Sequence, residues 1–207
     1  MKTGHIIAQI FSVVFQPLFM SFYGVLLLFY YTNFFFFYAN MTWFILGTVL
    51  LFTCLIPMLF ILSLRMSGVV KDYTLSEKKE RHLPYIICLL SNIALVVYLY
   101  NVNLQIWFLG LLAAPVLVLL IGFIVNFFWK ISAHMLGIGG LIGGLMSVCV
   151  NVNKQNPFLL FMLLFILAGC LGVSRLYLKR HTPAQVYIGF GAGFLAAYFV
   201  VWLSANL

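Results

Sequence analysis

The chain is poor in acid. Its 207 residues hold three carboxylates, Asp72, Glu77 and Glu80, all in one connector. Mg²⁺ is held through carboxylates, and a two-metal hydrolytic site needs several of them around its substrate. Three neighbours in one connector do not supply that. Charge of either sign is scarce, at 7% of residues. A soluble domain carries about 25%, so water cannot be the solvent for most of this surface. Cysteine is scarce too. Cys54, Cys88, Cys149 and Cys170 all lie in apolar runs without CxxC spacing. They read as small apolar packing residues, and no metal site is expected. No low-complexity segment and no internal repeat divides the chain. Residues 1–207 therefore read as a single integral membrane domain.

What is present in quantity is hydrocarbon: 65% of residues are hydrophobic. The apolar runs are apolar all round, without the two-residue alternation of a membrane β-barrel. A spanning helix needs roughly 20 mostly apolar residues. Seven segments qualify, at about 6–31, 41–64, 84–101, 105–129, 135–151, 157–178 and 184–205. The first is too long for a signal peptide and lacks a clear small-residue cleavage site. It reads as a retained helix with a kink at Pro17. The fifth is short and glycine-rich. Gly137, Gly139, Gly140, Gly143 and Gly144 give it the spacing of close helix contact. The abundant Met and Phe read as lipid-facing filler. The expected fold is all-α, a polytopic transmembrane helix bundle of about seven helices.

If the chain weaves, one face collects the N-terminus and the connectors after helices two, four and six. That face holds Lys2, Arg65, Lys71, Lys78, Lys79, Arg81, Lys130, Arg175, Lys179 and Arg180, and the other only Lys154. Lys and Arg counting places such a face in the cytoplasm. Some of this charge has ordinary work. Arg175 ends a helix, where a cation suits the dipole. Lys179 and Arg180 suit anchoring to anionic headgroups. "SEKKER" allows a Glu77–Arg81 pair on a solvated turn.

The histidines ask for more. His82, His134 and His181 lie at the starts of helices three, five and seven, on the basic face, with His5 near the N-terminus on that side. A helix start presents unpaired N–H groups and partial positive charge, which favour an anion. Ser132 can cap helix five; Thr182 can cap helix seven with Pro183 at its first position. Cations, helix starts and histidines together suggest a phosphate site.

These residues resemble a known family. Ser174-Arg175, five residues, then His181 is similar to the third signature of the type-2 phosphatidic acid phosphatases, the lipid phosphate phosphatases. That signature reads Ser-Arg, five residues, His, three residues, Asp. "ISAH" at 131–134 resembles the second, Pro-Ser-Gly-His. "KKERHLPY" at 78–85 is a looser relative of the first, Lys, six residues, Arg-Pro. The chain departs at Ile131 and Ala133, in place of Pro and Gly, and at Gln185, in place of Asp. The likeness spans about residues 65–205, the phosphatase-like core; the family implies a six-helix core, which a bundle of about seven helices would exceed by one.

The resemblance implies a lipid phosphate or prenyl pyrophosphate hydrolase working through a phosphohistidine without metal. It implies His181 as nucleophile and His134 as general acid. Arg175, Arg81 and either Lys71 or Lys78 would hold phosphate oxygens, with Ser132 and Ser174 beside them. Gln185 would orient His181 in place of the family's Asp, or reach back to the N–H of Thr182 in a capping box. Histidine suits both proton roles because its pKa lies near neutrality. Arginine's planar fork suits phosphate. A multi-pass protein of a cell membrane, the bacterial inner membrane, is expected. Its partner would be a membrane lipid substrate, with no nucleic acid and no cofactor. The resemblance points to the outer face for the site, whereas charge counting points to the cytoplasm. The alternative reading is a non-catalytic descendant that binds anionic lipid or a membrane partner. A small transporter fits less well, because no helix carries a buried acid.

Overall fold

The computed structural model describes residues 2–31, 34–68, 82–154 and 156–207, without the side chains of Lys2 and Phe37. Every regular element among them is helical. Seven helices are long and apolar enough to cross a membrane: Thr3–Tyr31, Thr42–Met66, His82–Tyr100, Ile106–Phe128, Ala133–Val152, Phe158–Tyr177 and Pro183–Ala205. Their ends lie within three residues of those expected from sequence.

The first span is broken. Helix α1, Lys2–Val14, is followed by a 3₁₀ turn at Pro17–Phe19 and by α2, Met20–Tyr31. Pro17 has no N–H, so Val13 loses its helical donor. The N–H of Gln16 donates to the Val13 carbonyl instead, at 3.3 Å. A short helix α3, Phe34–Phe37, leads to the second span, α4 at Thr42–Leu50 and α5 at Ile56–Met66. The π-helical turn joining them, Leu51–Leu55, precedes Pro57, a second missing donor.

Helices α6, His82–Tyr100, and α7, Ile106–Phe128, pack together as a pair. Helix α8, Ala133–Ser147, is the centre of the bundle, and 67% of its apolar window is buried against 44% or less elsewhere. It packs most extensively on α10, Pro183–Ala205, which follows α9, Phe158–Tyr177. Glycine makes this approach possible. A Cβ at Gly139 would strike the backbone of Phe190, at Gly143 that of Phe194, and at Gly193 that of Leu136. The short glycine-rich segment is thus central because its backbone can be approached.

Two side-chain expectations need correction. Cys54, Cys88 and Cys149 are buried, but Cys170 is exposed on the bundle's outer surface. Met and Phe are not all lipid-facing. Met20, Phe29, Phe34, Phe108 and Met135 sit in the core, and Phe34 packs edge-on against Phe108 with ring centroids 4.8 Å apart. Large aromatics fill the volume around α2 and α7 that smaller residues would leave empty.

Candidate functional site

The link between α9 and α10 is tightly built. Helix α9 ends with the N–H of Lys179 on the Leu176 carbonyl, at 2.9 Å, and that of Arg180 on the Arg175 carbonyl, at 3.2 Å. This is a Schellman motif. Lys179 holds the left-handed position, φ 53°, that glycine usually fills. Helix α10 begins almost at once, with Thr182 as N-cap and Pro183 in its first turn. His181 is the single residue between the end of the Schellman motif, Arg180, and the N-cap, Thr182, and it is buried.

Gln185 makes both of the contacts its position suggested. The backbone N–H of Thr182 donates to Gln185 Oε1 at 3.1 Å, and the N–H of Gln185 donates back to Thr182 Oγ1 at 3.5 Å. This is the capping box. The same Oε1 lies 3.1 Å from His181 Nδ1. A backbone N–H can only donate, so the amide orientation is set, and Nδ1 of His181 must carry its proton toward Oε1.

The start of α8 is tied to the same loop. The N–H of Ser132 donates to the Gln185 carbonyl at 3.4 Å. Ser132 takes the N-cap position, yet its side chain makes no capping bond, contrary to expectation. Its hydroxyl is fully buried, with no hydrogen-bond partner among the described residues. A Cβ at Gly189 on α10 would lie 3.1 Å from the Ser132 carbonyl, so the two backbones approach closely here.

Helix α1 completes the arrangement. His134 Nε2 lies 3.0 Å from the carbonyl of Ser12, and a carbonyl only accepts, so Nε2 donates. Arg175, 9% exposed, donates from Nη1 to Ser12 Oγ at 3.1 Å. One residue thus touches the candidate acid and the candidate phosphate-binding cation.

A cavity of about 930 Å³ joins these groups. His134, Arg175, Lys179, Arg180 and His181 line its polar end, and Leu95, Leu112, Val118 and Leu141 its apolar walls. The convergence expected of His134, Arg175 and His181 is therefore present. Ser132 and Ser174 are not among its lining residues. The hydroxyl of Ser174 turns back to the carbonyl of Cys170, at 2.8 Å. His82 stacks on Phe127 instead, with centroids 4.5 Å apart. Lys71, Lys78 and Arg81, and the expected Glu77–Arg81 pair, lie outside the described residues. Sequence reasoning noted His5 only as lying on the basic side and passed over Gln9, Ser12 and Gln16; all four line the cavity. The spacing of His5, Gln9 and Ser12 puts them on one face of α1, with Gln16 just beyond its end, and that stripe was the available signal.

The geometry defines a class: an α-helical membrane bundle whose cavity joins His134, His181 and a buried arginine to apolar walls. The chain belongs to the PAP2 superfamily, the type-2 phosphatidic acid phosphatases, whose model matches residues 86–207. The match contains His134, Arg175, His181 and Gln185, and begins after Arg81. No curated protein and no solved structure matches the chain.

Proposed function

We propose that this protein is an integral membrane phosphatase that hydrolyses a lipid phosphate or prenyl pyrophosphate, without metal, through a phosphohistidine on His181. The observation that carries the reading is His181, its Nδ1 on Gln185 Oε1, facing the cavity that His134 and Arg175 also line. Nε2 of His181 attacks phosphorus and the bond from phosphorus to the lipid oxygen breaks. His134 gives that oxygen its proton. Water then attacks the phosphohistidine, His134 takes the water's proton, and inorganic phosphate leaves with His181 restored. Arg175 faces the charge that builds on the equatorial oxygens, where fixed cations contribute most. Lys71 or Lys78, with Arg81, are candidates for the same task. The apolar walls suit a lipid tail while its headgroup sits at the histidines. The carboxylate inventory favours chemistry without a carboxylate-held metal.

The test is phosphate release by detergent-purified protein from phosphatidic acid, phosphatidylglycerol phosphate and a prenyl pyrophosphate, with and without chelator. Release from at least one, undiminished by chelator and abolished in His181→Ala, is the expected result. Silence on all three substrates would favour a lipid-binding descendant without catalysis. Full activity in His181→Ala would remove the phosphohistidine.

A further inference from the structure

We infer that Ser12, on the first helix, is a positioning residue of this site: its hydroxyl braces Arg175 and its carbonyl braces His134. The functional consequence rests on the phosphatase reading; the bracing does not.

The carbonyl is available for a local reason. In a continuing helix it would accept from the N–H of Gln16, four residues on. The break before Pro17 turns that N–H to Val13, at 3.3 Å. Ser12 is left with a free carbonyl near the negative end of α1, and the N–H of His134 fills it at 3.0 Å. A backbone carbonyl cannot donate, so it holds the imidazole in one tautomer and one orientation.

The hydroxyl addresses a different problem. A buried guanidinium has several N–H groups to satisfy and a long stem to immobilise. Ser12 Oγ accepts from Nη1 at 3.1 Å and fixes one edge of the fork. Ser12 is itself 8% exposed, so water does not compete freely for that bond. The brace comes from outside the stretch that matches the family, residues 86–207. It is supplied by this chain's N-terminal span. The outer face of α1, with Ile6, Ile7 and Ile10 more than half exposed, takes no part.

The bonds predict a split in the kinetics. Ser12→Ala removes the hydroxyl and keeps the carbonyl. Arg175 loses its brace, while His134 keeps its own. The KM for the lipid phosphate, and the inhibition constant for inorganic phosphate, should each rise roughly tenfold to a hundredfold, the scale of a hydrogen bond to a charged group. The kcat should change by less than about threefold, because the proton-transfer geometry is retained. Ser12→Thr restores the hydroxyl and should restore both constants. Ile10→Ala, on the outer face, should change neither. Ser12→Cys, near-isosteric and a weak acceptor, reports the same loss should the alanine variant not purify.

Unchanged KM and phosphate inhibition in a folded Ser12→Ala variant would overturn the inference. So would a fall in KM, which would make Ser12 an obstruction to substrate. Direct binding of inorganic phosphate, by calorimetry on the same proteins, separates the two readings. Phosphate binding weakened by Ser12→Ala, with no turnover of any lipid phosphate, sinks the phosphatase and keeps the brace. Absence of both binding and turnover in the parent sinks both.

Discussion

Gln185 shows how one atom can hold two structures. Its Oε1 accepts from the Thr182 N–H that opens α10 and from His181 Nδ1. The helix start and the histidine therefore share a fate. Gln185→Leu removes both bonds. Turnover should fall roughly tenfold to a thousandfold, the span for losing a positioned acid–base partner. Loss of the capping bond should also cost about 1 kcal/mol of stability. Gln185→Glu keeps the reach and adds a charge that favours the cationic imidazole formed on attack. Its turnover should equal or exceed the parent's. Parallel assays of phosphate release and thermal unfolding in detergent check both. A Gln185→Leu protein that loses stability but keeps its rate would leave the cap as its sole role. His181, Arg175 and Gln185 were legible in sequence because they are close along the chain and their helix boundary is written in Thr182 and Pro183. Ser12 was not, because its partner Arg175 is 163 residues away and its free carbonyl exists only once Pro17 ends α1. Ser132 and Ser174 were over-read. A helical serine usually returns its hydroxyl to its own backbone, as Ser174 does to Cys170.

At the scale of elements, the seam between α8 and α10 sets the distance between His134 and His181, since His134 lies in the first turn of α8 and His181 just before the N-cap of α10. Backbone meets backbone there, so an added methyl group finds no flexible side chain to displace. Gly139→Ala would press on the carbonyl of Phe190, and Gly193→Ala on that of Leu136. Each should lower stability by about 1–3 kcal/mol, the range for overpacking, and lower turnover by shifting the two helix starts apart. Gly191→Ala, two residues along α10, has nothing within 4 Å and should be neutral. Thermal midpoints in detergent, read beside phosphate release, distinguish the three. A fully stable, fully active Gly139→Ala would mean that the seam is looser than its contacts require. The spans themselves were legible because length and hydropathy alone define them. Which span is central was not. The fifth segment looked weakest because glycine dilutes its hydropathy, to 1.8 against 2.8 for α7. Glycine is also what lets α10 lie against it, and that value appears only when the partner helix is in place.

The whole molecule has two unlike ends. By the connectors they occupy in the sequence, ten of the eleven Lys and Arg residues are assigned to the end that carries the histidines, and Lys154 to the other. Part of that bias belongs to the site. Arg175, Lys179 and Arg180 line the cavity, and Lys71, Lys78 and Arg81 are candidates to join them. Charges kept for substrate are poor guides to topology. Lys2, Arg65 and Lys130 have no part in the proposed chemistry, and they still outnumber Lys154 three to one. The positive-inside rule concerns such residues near span ends. We therefore expect the histidine end to face the cytoplasm. Seven spans then put the C-terminus outside. A C-terminal alkaline phosphatase fusion, active only outside the cytoplasm, should be active, and a C-terminal green fluorescent fusion should be dark. The same orientation predicts that sealed inside-out vesicles hydrolyse an added short-chain lipid phosphate without detergent, while sealed right-side-out vesicles need permeabilising first. A fluorescent C-terminal fusion and hydrolysis by intact right-side-out vesicles would place the site on the outer face. Lys2, Arg65 and Lys130 would then need a role that charge counting does not supply.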